Sequence, residues 1–496
     1  MFESEFLTST EHGKDAYRTL IARAVQILCE SFPNQPYCGK SPAALAEAVA
    51  SDFLPQREGS WDQIAETLRA VVANSIAVSN PNTAAHLHCP PLLAALAAEV
   101  GISALNQSMD SFDQAPIATV VEQKMIRWLA TESGLPATAA GTFTTGGSQS
   151  NYMGLLLARD AFLQRHWNWS AQKTGLPPEA RRMRILSSEA AHFTVEKSAS
   201  QLGLGTDAII RIDVDDQFRM KSSSLRSSLE ALKTQGLLPM AIVATAGTTD
   251  FGSIDPLPEV AAVASEANAW LHVDAAYGGA LLFSAQHRSR LAGIETAHSV
   301  AIDFHKLFWQ PIPCSAFLVR DVRHFDTIRL YADYLNPELQ EEEGIPNLVT
   351  TSLLTSRRFD ALKLWISFQA LGREKLAAMI DRTMALANHA AIVVRAFRDL
   401  ELVCEPQLST VVFRYISSGR ELDADRINRE IPLKLFDRGV AVVGRTRVRG
   451  RHCLKLTCMN PTTTEADIET LIELISSQGR ECAGQKSDPL THYKHR

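Results

Sequence analysis

The spacing of apolar positions changes near residue 140. Before it, Val121, Met125 and Trp128 recur at helical spacing, which places them on one face of a helix. After it, short apolar runs alternate with amphipathic stretches, and strands that alternate with helices predict βαβ units and a mainly parallel sheet. The runs lie at residues 184–187, 209–214, 240–244, 270–273, 300–304 and 316–319.

The apolar runs AIVAT and AFLV contain no alternating polar positions, which is typical of strands covered by helices on both faces. Residues 357–395 have the pattern of one or two long helices. STVVFRY, GVAVVG and CLKLTC then predict strands, and residues 465–476 predict a helix. We therefore expect an α/β protein with an N-terminal helical segment (1–95), a large domain (96–375) and a small C-terminal α+β domain (376–496).

Composition narrows the class of protein. A chain of 496 residues with 46% hydrophobic and 21% charged residues is typical of a globular protein with more than one core. The net charge of −6 gives no support for a nucleic-acid partner, and no apolar run is long enough to span a membrane. Residues 1–14 lack the apolar core of a secretory signal, so we expect a cytoplasmic protein. Eight scattered cysteines favour reduced thiols over a metal site.

The segment WLHVDAAYGGALL is the first that carries candidate chemistry. A buried strand ends in Asp274, and small residues with two glycines follow it. Ligands of open α/β sheets bind at the carboxyl ends of the strands, so Asp274 is placed to meet a flat cationic heterocycle. An aspartate that only caps the next helix is the alternative.

The second segment, DFHKLFW, places Lys306 directly after a strand and among Phe304, Leu307, Phe308 and Trp309. Burial disfavours the charged form of a lysine and so lowers its pKa. A neutral amine is what Schiff-base formation requires. A solvated surface lysine is the alternative.

In the third segment, TFTTGGSQSNYMG, a turn containing Gly147 and Ser148 leads straight into a helix. Such a turn offers backbone N–H groups and the positive end of a helix dipole to an anion, although it could be only a tight turn. Along the chain the order is a phosphate turn, then an acid, then a lysine 32 residues later (306 minus 274). Together these describe a site for pyridoxal 5′-phosphate (PLP).

These segments resemble the group II PLP-dependent decarboxylases, relatives of the glutamate, aromatic-amino-acid and cysteine-sulfinate decarboxylases. HVDAAYGG and DFHK are highly specific to that family, and the resemblance covers about residues 80–457. It implies fold type I of the PLP enzymes, with a mainly parallel seven-stranded sheet in the large domain. It also implies a homodimer with the active site at the subunit interface, in which residues 1–95 embrace the partner.

The resemblance also implies roles for single residues. Lys306 matches the lysine that holds PLP as a Schiff base, and Asp274 matches the acid that pairs with the pyridine nitrogen. Ala276 matches the small residue beneath the ring, and His192 matches the histidine that stacks on its other face. The remaining matches are Gly147 and Ser148 at the phosphate, Thr245 near cofactor and substrate, and His305 at the phosphate or substrate.

The group that returns a proton to the α carbon is where the chain departs from the aromatic branch. There a mobile loop carries a catalytic tyrosine. Counted back from Arg357, the equivalent position here is Leu348. Tyr334, at the start of the same loop, is the candidate replacement, and a shifted loop or His192 is the alternative.

The substrate class is indicated by resemblance to particular branches of the family. NQSMDSFDQAP and ADYLNPE most resemble the branch acting on L-2,4-diaminobutyrate, then those acting on lysine or ornithine, which supply diamines for polyamine or siderophore synthesis. Asp110 and Asp113 are candidates to bind a distal ammonium, or else flank a helix. His86 and His88 match a region near the substrate entrance, or else lie on the surface. An acidic amino-acid decarboxylase, an aldehyde synthase and a catalytically silent scaffold stay open.

Overall fold

A computed structural model describes residues 3–49, 53–416 and 421–484. Within these ranges the chain forms fourteen α-helices and eleven β-strands. The helices are α1 (Glu11–Ser31), α2 (Pro42–Ala48), α3 (Trp61–Ala73), α4 (Leu93–Leu105), α5 (Pro116–Glu132), α6 (Gly147–Trp167), α7 (Ala171–Thr174), α8 (Thr194–Gln201), α9 (Ser222–Thr234), α10 (Leu257–Glu266), α11 (Glu338–Glu342), α12 (Ala361–Ala396), α13 (Glu421–Asp437) and α14 (Glu465–Cys482). The strands are β1 (Ala140–Thr144), β2 (Met183–Ser188), β3 (Ile209–Ile212), β4 (Leu238–Thr245), β5 (Trp270–Asp274), β6 (Ser299–Asp303), β7 (Ser315–Val319), β8 (Leu400–Leu402), β9 (Thr410–Tyr415), β10 (Gly444–Val448) and β11 (Arg451–Thr457).

Strands β1 to β7 form one sheet in the order β1-β7-β6-β5-β4-β2-β3. All neighbouring pairs are parallel except those that β7 makes with β1 and β6. Six strands therefore run in one direction, and their carboxyl ends lie at one edge. The predicted fold class, a mainly parallel seven-stranded sheet of fold type I, is confirmed.

The apolar runs explain why this sheet is buried. Every residue of β5, β6 and β7 is buried, and helix α6 packs against β4, β5, β6 and β7. The core beneath α6 includes Leu155, Leu157, Met240 and Trp270. The six predicted strands all formed, whereas β1 was not predicted because AGTFT is short and contains a glycine. None of the described helices is both long and apolar enough to cross a membrane.

The described residues form two compact units. One contains residues up to His86, residues His389–Val403 and residues from Val412 onward. The other contains residues Leu87–Asn388 and Cys404–Val411. The division therefore lies at residues 86/87 and 388/389, whereas the predicted boundaries were at 95 and 375. The dimerisation role of residues 1–95 stays a prediction.

The N-terminal segment joins the C-terminal unit by backbone pairing. Thr83 forms a parallel bridge with Val442, and the N–H of Thr457 donates to the carbonyl of Ala84. In the small sheet the order is β10-β11-β9-β8. The prediction that GVAVVG (439–444) forms a strand was wrong: Val442 makes only an isolated bridge, and Gly444 is already the first residue of β10. The long predicted helix is α12, which is interrupted at Gly372 by a left-handed backbone (φ 66°).

A buried ion pair links β1 to the segment that precedes α12. Arg357 Nη2 lies 2.9 Å from Glu122 Oε1, and both side chains are almost completely buried. The Glu122 carboxylate also accepts the N–H of Phe143 in β1, at 3.1 Å, and Arg357 Nη1 donates to the Phe143 carbonyl, at 3.2 Å. The pair therefore fixes the strand that leads into the Gly147 turn.

We expect Glu122→Gln to lower the free energy of unfolding by roughly 3–5 kcal/mol, because removing one partner leaves the other charge buried without compensation. Thermal and urea unfolding would measure this. Glu266→Gln, which breaks a solvent-exposed pair with Arg226, is the control and should leave the unfolding temperature unchanged. Equal stability of Glu122→Gln and the wild type would contradict the importance of the pair.

Candidate active site

The carboxyl ends of β1, β4, β5 and β6 surround a cavity of about 300 Å³. Parallel strands bring these ends together although their residues are far apart in the chain. All eight residues predicted to bind the cofactor line it. They are Gly147, Ser148, His192, Thr245, Asp274, Ala276, His305 and Lys306.

Lys306 is paired with a carboxylate that the sequence analysis did not single out. Its Nζ lies 2.9 Å from Asp303 Oδ2, the last residue of β6, and its side chain is 17% exposed. Burial alone would raise the pKa of Asp303. The charges of Lys306 and His305, with a 2.7 Å hydrogen bond from Ser315, outweigh burial and hold that pKa below its usual value.

The aromatic neighbours of Lys306 pack into the core. Phe304 and Phe308 lie with their ring centroids 5.1 Å apart, and Phe143 lies 5.6 Å from Phe304. They are buried, as is Trp309. These rings therefore fix the turn that carries Lys306.

Both oxygens of Asp274 are held in place. Oδ1 accepts the backbone N–H of Ala276 at 3.1 Å, and Oδ2 accepts Nδ2 of Asn151 at 2.7 Å. Asp274 is buried at the end of β5. The alternative that it only caps a helix does not describe it, because the next helical turn begins at Gly278 with no side-chain cap.

Two histidines complete the ionisable groups of the cavity. Burial is the main cause that lowers the pKa of His192, and the charge of Lys306 adds to it, against Asp274 and Asp303, which raise it. Burial likewise lowers the pKa of His305, whose Nδ1 donates to the carbonyl of Cys314 at 3.0 Å. In both rings, burial therefore favours the neutral form over the charged one.

The glycine turn leaves room beside these groups. Helix α6 begins at Gly147 with no side-chain cap. The N–H groups of Gln149 and Ser150 donate to the Gly146 carbonyl, which leaves those of Gly147 and Ser148 for a ligand. A Cβ at Gly147 would lie 3.2 Å from both Ala276 Cβ and Asp303 Oδ2. A larger residue there would fill the cavity.

Thr245 supplies a buried hydroxyl at the end of β4. Its backbone N–H donates to Asp255 at 2.7 Å, whereas its Oγ1 has no hydrogen-bond partner within the described residues. Buried polar atoms are normally paired, so an unpaired hydroxyl that lines a cavity indicates a partner outside the chain.

The residues predicted to contact substrate or to donate a proton are not among the cavity-lining residues, apart from His192. Tyr334 is 89% exposed. Asp110 is buried and accepts the N–H of Ser111, and Asp113 is exposed and accepts the Ser111 hydroxyl. His88 is exposed, and His86 is exposed on the other unit.

The cavity also contains residues that the sequence analysis missed. Asn151 and Asp303 line it, as do Thr249 and Ile312. Helical spacing could have found Asn151, because it lies three residues after Ser148 on the same helix. Asp303 stands three residues before Lys306 in the DFHK motif, and its place at the end of an apolar strand was the available signal.

A family model described as the pyridoxal-dependent decarboxylase conserved domain matches residues 42–416. L-2,4-diaminobutyrate decarboxylase of Rhizobium meliloti is 40% identical over 490 residues, covering 98% of this chain and 96% of that one. The enzyme of the same name from Acinetobacter baumannii is 37% identical over 473 residues, covering 93% and 92%. A crystal structure of the glutamate decarboxylase domain of diaminobutyrate-pyruvate transaminase and L-2,4-diaminobutyrate decarboxylase from Vibrio parahaemolyticus has a TM-score of 0.89 at 40% identity, covering 97% and 99%.

The residues of the cavity fit the cofactor of that family. A buried carboxylate, an amine and an unpaired hydroxyl converge where a glycine turn opens a helix N-terminus, and these are the groups that a pyridinium, an aldehyde and a phosphate require. The match covers most of the chain. The chain therefore belongs to the pyridoxal-dependent decarboxylase family, and it is a PLP-dependent carboxy-lyase that acts on an amino acid.

Proposed function

We propose that the substrate is L-2,4-diaminobutyrate, which loses CO₂ to give 1,3-diaminopropane. The observation that carries this proposal is the 37–40% identity, over more than nine tenths of each chain, to two enzymes of that name. The cysteine sulfinic acid decarboxylase of Rattus norvegicus is 30% identical. The diamino-acid branch is therefore favoured over the acidic branch.

The cofactor residues have separate tasks in this proposal. Bound PLP supplies an electron sink for the electron pair that remains on the α carbon when CO₂ leaves. Asp274 would hold the proton on the pyridine nitrogen, since its carboxylate is buried and already oriented by two donors. Lys306 would hold the cofactor covalently until a substrate amine replaces it.

The remaining groups would fix the ring and the phosphate. The first-turn N–H groups of α6, at Gly147 and Ser148, would bind phosphate oxygens, as helix N-termini do. Thr245 Oγ1 would gain the partner that it lacks. Ala276 and His192 would lie against the two ring faces, and the small side chain of Ala276 leaves the room that a flat ring needs.

In its protonated form, His192 is our proposed proton donor to the α carbon, since the lowered pKa makes its imidazolium the stronger acid. It lines the cavity beside Asp274 and Lys306, whereas Leu348, at the position equivalent to the tyrosine of the aromatic branch, is a buried leucine without a proton to give. Tyr334 remains the candidate if the loop that carries it reaches an active site in the assembled enzyme.

The distal ammonium of the substrate needs a carboxylate partner, and neither carboxylate of the cavity is available for it. Asp274 and Asp303 are both engaged, by Asn151 and by Lys306. Asp110 and Asp113 stay the candidates, with His86 and His88 at the entrance, and all four would have to be brought to the substrate by the assembled enzyme.

We also propose that the working enzyme is a homodimer. Helix α4 presents Leu93, Leu96 and Val100 at i, i+3 and i+7 spacing, and Leu93 is 84% exposed. In the other unit, α1 exposes an apolar row in the same way, at Ile21, Val25 and Leu28. Apolar faces of this kind mark surfaces that another molecule covers.

A cytoplasmic location and a role in siderophore synthesis stay predictions.

Product analysis with a panel of amino acids tests the substrate. We expect CO₂ and 1,3-diaminopropane from L-2,4-diaminobutyrate at a kcat/KM at least tenfold above that for lysine, ornithine, glutamate, aspartate and aromatic amino acids. Lys306→Ala is the control and should release no CO₂. Aldehyde and hydrogen peroxide would indicate an aldehyde synthase, and no product from any substrate would favour a silent scaffold.

Gly147→Ala tests the phosphate turn. We expect PLP to bind on the order of tenfold more weakly, since the added methyl group lies 3.2 Å from Ala276 and Asp303 and occupies the cavity. Equilibrium dialysis against PLP would measure the Kd. The matched control is Gly101→Ala, where a Cβ in α4 meets no atom within 4 Å. Equal PLP affinity in both variants would be evidence against this phosphate site.

Light scattering during size-exclusion chromatography tests the assembly. We expect a dimer at micromolar concentration, because burying the apolar faces of α1 and α4 favours association. Leu93→Lys, on the most exposed part of α4, should weaken the dimer and lower activity together. A fully active wild-type monomer would contradict the proposal.

A further inference from the structure

A chain of buried hydrogen bonds runs behind the cavity, from β5 and β6 to α6. Trp270 Nε1 donates to Ser299 Oγ at 2.9 Å, and Ser299 Oγ lies 2.8 Å from His272 Nδ1. His272 Nε2 lies 2.9 Å from Asn151 Oδ1, and Asn151 Nδ2 donates to Asp274 Oδ2 at 2.7 Å. All of these side chains are buried.

At both ends of this series of hydrogen bonds, the donor and the acceptor can be assigned in only one way. The Trp270 indole can only donate, so the Ser299 hydroxyl accepts from it and keeps its own hydrogen available for His272 Nδ1. At the other end, an ionised Asp274 can only accept, so the amide nitrogen of Asn151 faces it. The amide oxygen then accepts the hydrogen on His272 Nε2. Burial lowers the pKa of His272 to about 4, which agrees with a neutral ring that carries one hydrogen.

A branch extends from Asn151 to the histidine of the cavity. The second hydrogen of Asn151 Nδ2 goes to Thr194 Oγ1 at 3.0 Å, and Thr194 Oγ1 lies 2.8 Å from His192 Nδ1. Thr194 is buried at the first position of α8. If His192 Nδ1 carried the hydrogen, the Thr194 hydroxyl hydrogen would have no acceptor among the described side chains that it contacts. Such a buried unpaired donor is costly.

We propose that Asn151 is a positioning residue that orients Asp274 and, through Thr194, holds the proton of His192 on Nε2. One amide thereby fixes the acid at the pyridine nitrogen and the tautomer of the histidine on the other side of the site. The inference rests on the proposed roles of Asp274 and His192 and is independent of which amino acid is the substrate.

Helix α6 leaves space for the ring of His272. Gly154 lies one turn after Asn151, and a Cβ there would approach His272 Nδ1 to 2.5 Å. The absence of a side chain at Gly154 lets the imidazole of His272 approach the helix closely. His272 is therefore positioned from two sides, by Ser299 on β6 and by α6.

The tautomer is tested by ¹⁵N solid-state NMR of the PLP-loaded enzyme labelled on histidine. His192→Asn identifies the signal, and the shifts of protonated and unprotonated ring nitrogens are well separated. The wild type and Thr194→Ser, which keeps the hydroxyl, should carry the hydrogen on Nε2. Thr194→Val, which removes it, should populate Nδ1–H. An unchanged tautomer in Thr194→Val would overturn the role of Thr194.

The orientation of Asp274 is tested by the PLP dissociation constant. Asn151→Ala should bind PLP on the order of ten- to a hundredfold more weakly, the effect of losing a hydrogen bond to a charged group. Thr194→Val should stay within about twofold of the wild type, because the bond from Asn151 to Asp274 is retained. Wild-type affinity in Asn151→Ala would overturn the proposal.

Two further variants keep the result interpretable. Gln164→Ala, on the exposed face of α6, is the control and should bind PLP normally. If Asn151→Ala is too unstable to assay, the isosteric Asn151→Asp replaces the amide donor with a second carboxyl against Asp274, which disturbs the charge of that acid, and it should also bind PLP weakly. Neither measurement uses a substrate, so its outcome is distinct from that of the substrate panel.

Discussion

The common direction of six strands is the constraint on which the site depends. Asp274, Asp303, Thr245 and the Gly147 turn come from four different strand ends, and only a parallel arrangement brings those ends to one edge. Strand β7 runs the other way, and it supplies Ser315, whose hydroxyl donates to Asp303. Because β7 is antiparallel, its first residue lies at the edge where the other strands end, and its hydroxyl can support a carboxylate of the site there.

The cavity contains two aspartates, and their carboxylates have different partners. Asp303 faces the amine of Lys306 and is stabilised as a carboxylate by it. The two oxygens of Asp274 accept from a backbone N–H and from Asn151, and no cation contacts them within the part of the chain that the structure describes. An acid that is oriented but not neutralised is suited to a positive charge brought by a ligand, which is what a protonated pyridine ring supplies.

Local pattern was sufficient to predict six of the seven strands of the large sheet, because buried strands are continuous apolar runs. Lys306 and Asp274 were predicted from the ends of such runs and the Gly147 turn from its glycines before a helix, with the family resemblance adding His192 and Thr245. The pairing of Thr83 with Val442 could not be predicted, because it joins segments some 360 residues apart (442 minus 83) and leaves no periodic signal.

Other features escaped prediction for different physical reasons. GVAVVG is apolar enough for a strand, yet its backbone turns at Gly439 (φ 68°), which no count of apolar residues reveals. Asn151 lies inside α6, where spacing from Ser148 could place it near the turn but could not show that it contacts His272 and Asp274 of β5. Tyr334 is 89% exposed, so the sequence position that suggested it does not by itself bring it to the cavity.

Gly154 has a consequence for engineering. Replacing a mid-helix glycine by alanine is a common route to a more stable protein, since glycine costs about 1 kcal/mol in a helix. In α6 that route is closed, because the methyl group would displace the imidazole of His272. Positions 154 and 272 form a complementary pair in which one residue is small because the other is a ring. A larger residue at position 154 would fit only in a variant in which His272 had first been replaced by a smaller side chain.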